Sequence, residues 1–194
     1  MAHIFDPEER HKLDTPERRA ELPPEETLVK AGIKPGDIFM DIGCGNGYFS
    51  LPAARMVGPK GRVYALDVSG VMLAEIRSKV ASLGIFNIHA HQVTRDKLKI
   101  PEADATMAFI SDVLHEVDDK KDFLAAVSAA LKPGARLAVI EWIKKETPTG
   151  PPLKERLSED EMQVLLKKAG FTEPAAAELS ASHVLYTCAK KSAI

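Results

Sequence analysis

Asp41-Ile42-Gly43-Cys44-Gly45-Asn46-Gly47 is the stretch around which the rest of the chain can be placed. The apolar run Ile38-Phe39-Met40 leads into it, and a helix-compatible run from Tyr48 to Met56 leads out. The order is strand, glycine-rich turn, helix. Glycine carries no Cβ, so a ligand can come close to the main-chain N–H groups of such a turn. The helix that follows directs its positive end to the same place. The stretch therefore reads as a site for a nucleotide-like molecule.

Three patterns compete for it. A Walker-type phosphate loop needs Gly-Lys-Ser/Thr after its glycines, and here Gly47 is followed by Tyr48-Phe49-Ser50. A dinucleotide fold needs G-x-G-x-x-G. Counting from Gly43, Tyr48 stands where its third glycine belongs, and a tyrosine there obstructs close helix–strand packing. The pattern D-x-G-x-G-x-G is met at Asp41, Gly43, Gly45 and Gly47. It suits a ligand with an amino-acid tail. Asp41 offers a carboxylate for an ammonium or for bracing the loop amides. Asp67 ends the next apolar run, twenty residues after Gly47, where a carboxylate can accept from both hydroxyls of a ribose.

The chain has 194 residues, a size that fits one domain. Its net charge of −2 gives no global field toward nucleic acid or anionic lipid. No apolar run approaches the ~20 residues that span a bilayer, and the polar, acidic N-terminus is unlike a signal peptide. Cys44 and Cys188 lie far apart and show no metal spacing; a reduced, cytoplasmic pair is expected. Residues 1–24 read as an arm with few apolar anchors (Ile4, Phe5, Leu13, Leu22). A single domain is expected over 25–194. Strands are expected at about 37–42, 62–67, 87–92, 105–110, 136–143, 172–179 and 183–189. Helices are expected from Pro24 to near Gly32 and over 47–57, 71–83, 119–131 and from the Ser158–Glu161 capping box to Gly170. Val71, Met72, Ile76, Val80 and Leu83 form an apolar stripe on the third of these. Strands alternating with helices imply an α/β, doubly wound, mostly parallel sheet with helices on both faces and a closing hairpin at one edge.

The sequence at this point resembles the class I S-adenosylmethionine (SAM)-dependent methyltransferases over about residues 25–190. The resemblance rests on Asp41-Ile-Gly-Cys-Gly-Asn-Gly, Val63-Tyr-Ala-Leu-Asp67-Val, Ser111-Asp-Val-Leu-His-Glu-Val117 and Leu131-Lys-Pro-Gly-Ala-Arg-Leu. It is similar in particular to the group that includes the quinone-biosynthesis methyltransferases, and Phe5-Asp-Pro and Leu22-Pro-Pro-Glu fit that group. The resemblance implies a three-layer αβα fold with seven strands in the order 3-2-1-4-5-7-6, strand 7 antiparallel. It implies SAM as cofactor and S-adenosylhomocysteine (SAH) as product. It places Asp41, Gly43, Cys44, Gly45, Asn46 and Gly47 at the methionine part, Asp67 at the ribose, and Val68, Met72, Val93, Thr94 and Ser111 around the remainder. Relatives commonly carry an aspartate followed by alanine after strand 3; here the region reads Gln92-Val93-Thr94-Arg95-Asp96, and Thr94 stands in for the adenine contact.

Methyl transfer from a sulfonium asks the protein mainly for position and a dry site. A base is needed only where the acceptor must lose a proton. His115 and Glu116 are the catalytic candidates. Tyr48, Asp112, His115, Glu141 and Trp142 are the expected substrate pocket, with Trp142 either stacking on a flat acceptor or serving as core. A small-molecule acceptor is expected, with no nucleic-acid, membrane or metal partner. The proline-rich stretch 144–157 and the arm 1–24 are both candidate lids. The alternatives are an NAD(P)-dependent oxidoreductase, which Tyr48 disfavours, and a SAM-binding protein without catalysis.

Overall fold

The computed structural model describes residues 6–94 and 104–192. Seven strands form one sheet in the order β3-β2-β1-β4-β5-β7-β6. They are β1 (Ile38–Ile42), β2 (Arg62–Asp67), β3 (Ile88–Gln92), β4 (Ala105–Ser111), β5 (Leu131–Trp142), β6 (Ala175–Glu178) and β7 (His183–Ala189). The pairings from β3 through β5 are parallel, and β7 runs antiparallel to both β5 and β6. This is the expected strand order and direction.

The helices are α1 (Pro16–Glu21), α2 (Pro24–Ala31), α3 (Ser50–Val57), α4 (Gly70–Leu83), α5 (Lys120–Ala130) and α6 (Glu159–Lys168). Local chemistry sets their ends. Ser69, Asp119 and Ser158 accept from the first-turn amides of α4, α5 and α6, and Glu161 closes the capping box. Two apolar cores lie on the two faces of the sheet. Met40, Leu66, Ile110 and Val139 face one; Phe39, Val63, Phe109 and Ile140 face the other. Alternate residues of each central strand thus enter opposite layers, as the pleat requires.

Four details differ from the sequence expectation. The helix after the glycine turn starts at Ser50, because Gly47 sits at φ 88° and cannot begin a right-handed turn. Tyr48 therefore precedes α3 and is not part of it. The helix expected over 119–131 ends at Ala130, and Leu131 passes straight into β5 opposite Ala105, so Pro133-Gly134 interrupts a strand edge. The α4 stripe is narrower than its sequence pattern: Met72 and Ile76 are buried, while Val71 and Leu83 are more than half exposed. The first strand of the closing hairpin shortens to four residues, with Phe171 bridging separately to Lys190.

Candidate active site

The glycine turn, the segment after β2, the turn after β4, the end of β5 and the start of β7 meet at one edge of the sheet. Parallel strands deliver their C-terminal ends to that edge, and antiparallel β7 delivers its N-terminal His183 opposite Trp142. Ligands of open α/β sheets bind outside this edge where the strand order reverses, here between β1 and β4.

Gly43 and Gly45 hold φ of 75° and 53°. A Cβ on Gly43 would lie 2.2 Å from Val113 Cγ2, so the turn can pack beneath the β4 segment only as glycine. The amides of Gly43 and Cys44 donate to Leu66 O. The amide of Gly45 donates to Asp67 Oδ2 at 2.9 Å, and Ser69 N donates to Oδ1 at 2.8 Å. Asp67, rather than Asp41, thus braces the loop amide. Each of its oxygens keeps a lone pair for a further donor. Burial raises the Asp67 carboxyl above its usual range, against the pull of those backbone bonds.

Asp41 is buried and accepts from Ser50 Oγ at 2.5 Å. Burial lifts its carboxyl to about 7, with the Ser50 bond opposing and the charge of Asp67 adding to the rise. Cys44 is buried between the glycines, and burial pushes its thiol well up, which leaves it inert. Two neighbouring polar atoms, Asn46 Oδ1 and Ser111 Oγ, are buried without a hydrogen-bond partner among the described residues. Orphaned atoms of this kind need a polar partner. Met72 and Val93 are buried, and Val68 is exposed just after β2. Thr94 is exposed two residues past the end of β3, and Arg95-Asp96, on which the adenine expectation also turned, lies outside the described residues.

A methyltransferase-domain family model matches residues 39–134. A SAM-dependent methyltransferase from Aquifex aeolicus is 33% identical, with a TM-score of 0.90 over 96% of this chain and 99% of that one. This chain belongs to the class I SAM-dependent methyltransferases. Their cofactor is SAM, and the donor set just described fits it. A ubiquinone/menaquinone biosynthesis C-methyltransferase from Marinomonas sp. is 34% identical over 62% of this chain. The chain spans about half the length of the curated relatives it matches. The [4+2]-cyclase SpnF, at 16% identity and a TM-score of 0.75 over 99% of this chain and 86% of that one, shares the fold.

On the other side of the methyltransferase cleft, His115 sits in the short turn Leu114–Glu116. Its Nδ1 lies 2.8 Å from Glu141 Oε2, and its backbone N–H donates to Oε1 at 3.2 Å. One buried carboxylate thus grips both the ring and the main chain. The grip assigns the proton to Nδ1 and leaves Nε2 as the basic nitrogen, 4.0 Å from Glu116. Burial disfavours the imidazolium, but the Glu141 bond and the charges of Glu141, Asp112 and Glu116 outweigh it, so the His115 pKa is raised. His115 borders a cavity of about 360 Å³ shared with Lys120, Lys154 and Arg156.

The sequence did not single out five further groups here. Arg18, from α1, donates to Asp112 Oδ2 at 2.9 Å. His183 Nε2 stands 3.3 Å from Asp112 Oδ1, and its Nδ1 is 2.8 Å from Ser182 Oγ. Ser182 in turn donates to Glu21 Oε2. Arg156, 4% exposed, donates to the carbonyls of Pro151, Ile143, Lys145 and Thr149, and so gathers the 144–157 loop around itself. Only the position of His183 carried a signal: an antiparallel last strand must begin at the ligand edge.

Two expected pocket residues are engaged elsewhere. Trp142 contacts the His183 ring at a 4.3 Å centroid distance and the Arg156 guanidinium at 5.2 Å, and a Cβ on Gly150 would come within 2.6 Å of it. Protein groups occupy the ring that a flat acceptor would need. Tyr48 is buried beneath the arm, donates to Leu22 O at 2.8 Å, and carries Arg18 and Arg19 over its ring.

Proposed function

We propose that the protein transfers the methyl group of SAM to a small molecule whose acceptor atom is activated by loss of a proton to His115. The observation that carries this reading is the His115–Glu141 pair, where the turn after β4 meets the end of β5. SAM supplies an activated methyl on a sulfonium, open to in-line displacement. The chain's own residues do the rest. Gly43, Gly45 and Gly47 let the loop backbone approach the methionine part, with Asp41, Asn46 and Ser111 around its polar groups. Asp67 takes the ribose hydroxyls on its remaining lone pairs. Val68, Met72, Val93 and Thr94 border the adenosine. His115 Nε2 accepts the acceptor's proton, while Glu141 fixes the tautomer and stabilises the imidazolium that forms. Asp112 and Glu116 set the charge around that nitrogen.

A raised imidazole pKa suits a hydroxyl or phenol better than an amine that needs no base. The similarity to C-methyltransferases of quinone biosynthesis favours a hydroxylated aromatic, whose deprotonation makes both oxygen and ring carbon nucleophilic. The arm of residues 1–24 serves as a lid. Its described part reaches the cleft through Leu13, which stands 3.0 Å from where a Gly45 Cβ would be.

Calorimetry with SAM and SAH, followed by SAH release across a panel of phenols and quinols, tests the reading. SAM binding in the micromolar range or tighter, with release that His115→Gln slows by about a hundredfold or more, is the expected result. NAD binding with no heat for SAM would reverse it.

A further inference from the structure

Asp112 is the non-glycine residue with positive φ, 56°, among the described residues. It stands between the last residue of β4 and the turn that carries His115. A non-glycine residue in the left-handed region is held there by its surroundings, at a cost. Here the surroundings are Ile140 O, which accepts its N–H, His183 Nε2 at 3.3 Å and the Arg18 guanidinium at 2.9 Å. Arg18 comes from the arm, 94 residues earlier. It is itself held in three ways. Thr15 Oγ1 caps its backbone N–H, its guanidinium lies 5.2 Å over the Tyr48 ring, and Leu22 just beyond it is fully buried.

We propose that Arg18 is a positioning residue of the methyltransferase site: docked, it neutralises Asp112 and holds the turn in which His115 meets Glu141. This rests on His115 acting as the base. With the arm docked, the Asp112 carboxylate is matched by a guanidinium. With the arm lifted, or Arg18 removed, a buried carboxylate is left beside two imidazoles. Its charge favours protonated His115. An imidazolium cannot accept a proton, so lifting the arm lowers the fraction of His115 able to act as the base.

Glu21 of the same arm, 3.8 Å from His183 Nδ1, moves with Arg18 when the arm lifts; the other charges stay with the domain. Glu141 of β5 and Glu116 of the same turn face the ring, and His183 of β7 faces Asp112. Across the neighbouring cavity, Lys120, Lys154 and Arg156 oppose Asp118 and Glu155, and Lys144 is paired with Glu161.

The test is an NMR titration of the His115 ring in the full chain loaded with SAH, with the resonance assigned by its loss in His115→Gln. It needs no known acceptor. Arg18→Met is expected to raise the His115 midpoint by about one pH unit, and Arg18→Lys to restore most of it. Asp112→Asn, which leaves the guanidinium without its anion, is expected to lower the midpoint below wild type. A role in arm stability alone would lower the melting temperature without moving the midpoint. An unmoved midpoint in Arg18→Met overturns the proposal. If that variant does not fold, an unmoved midpoint in Asp112→Asn does so. Calorimetry of the wild type with SAM stands apart from this titration, so failure of the functional reading and failure of the Arg18 role are distinguishable.

Discussion

At the scale of single residues, burial raises both aspartates of the cofactor edge, but their partners differ. Asp67 is paired with two backbone amides, whereas Asp41 has one hydroxyl and deep burial. Loss of Asp67 in Asp67→Ala should cost about 1.5–3 kcal/mol of SAM affinity, read by calorimetry. Asp67→Asn should recover the loop bond but not the charge, and so fall between. Asp41 bears on the stability of the fold as well as on the cofactor. Its folded pKa, about 7, lies above the ordinary 3.8 because burial penalises the anion. The folded state therefore holds that proton more tightly than the unfolded chain. Stability falls as pH rises from about 4 to about 7, and the cost is complete above that. Asp41→Asn should stabilise the protein by about 2–4 kcal/mol at pH 8 and by nothing near pH 4, measured by urea denaturation at both. SAM binding should weaken in the same variant, since the ionised carboxylate is the group proposed to meet the ammonium.

At the scale of elements, the two candidate lids differ in how they are held. The 144–157 loop is wound around one buried arginine that donates to three of its carbonyls and to that of Ile143 just before it. Arg156→Met removes all four bonds. It should cost about 2 kcal/mol or more and open the loop to proteolysis before the rest of the chain is cut. The arm is held by one ion pair near its surface, Arg10 to Glu75, and by Tyr48, Asp112 and Ser182 beneath. Surface pairs contribute little, so the arm is the part able to lift. Limited proteolysis with and without SAH should show protection in residues 6–22 and none in 144–157.

At the scale of the whole molecule, the cofactor edge joins segments from both halves of the sheet, so ligand binding should stabilise the fold as one unit. SAH at a hundredfold excess over its dissociation constant contributes about 2.7 kcal/mol. For a chain of this size that corresponds to a rise in melting temperature of about 5–11 °C, read by calorimetric scanning. A rise confined to a separate transition would mean that the two halves melt independently.

Legibility followed the range of the interactions. The glycine turn was readable because its demand is local: positive φ and close approach can be met by Gly43 and Gly45 within a few residues of β1. Asp67 was readable because strand length fixes its place at the sheet edge. The alternation of strands and helices implied a mostly parallel sheet, and the strand order came from the family resemblance that spans most of the chain. His115 and Glu141 could each be named, but not their contact, because they end neighbouring strands 26 residues apart. Arg18 and Arg156 carried no local mark, and His183 had only its place at the start of the last strand. A charge in a polar arm and a histidine in a hairpin look alike in sequence whether solvated or buried. Composition and periodicity, with the Asp41–Gly47 turn and Asp67, thus determined an α/β sheet with a nucleotide-like cofactor site. Only the tertiary structure decided which charges meet across 94 residues of chain to set the proton on His115. Such pairing depends on long-range packing that sequence spacing does not encode.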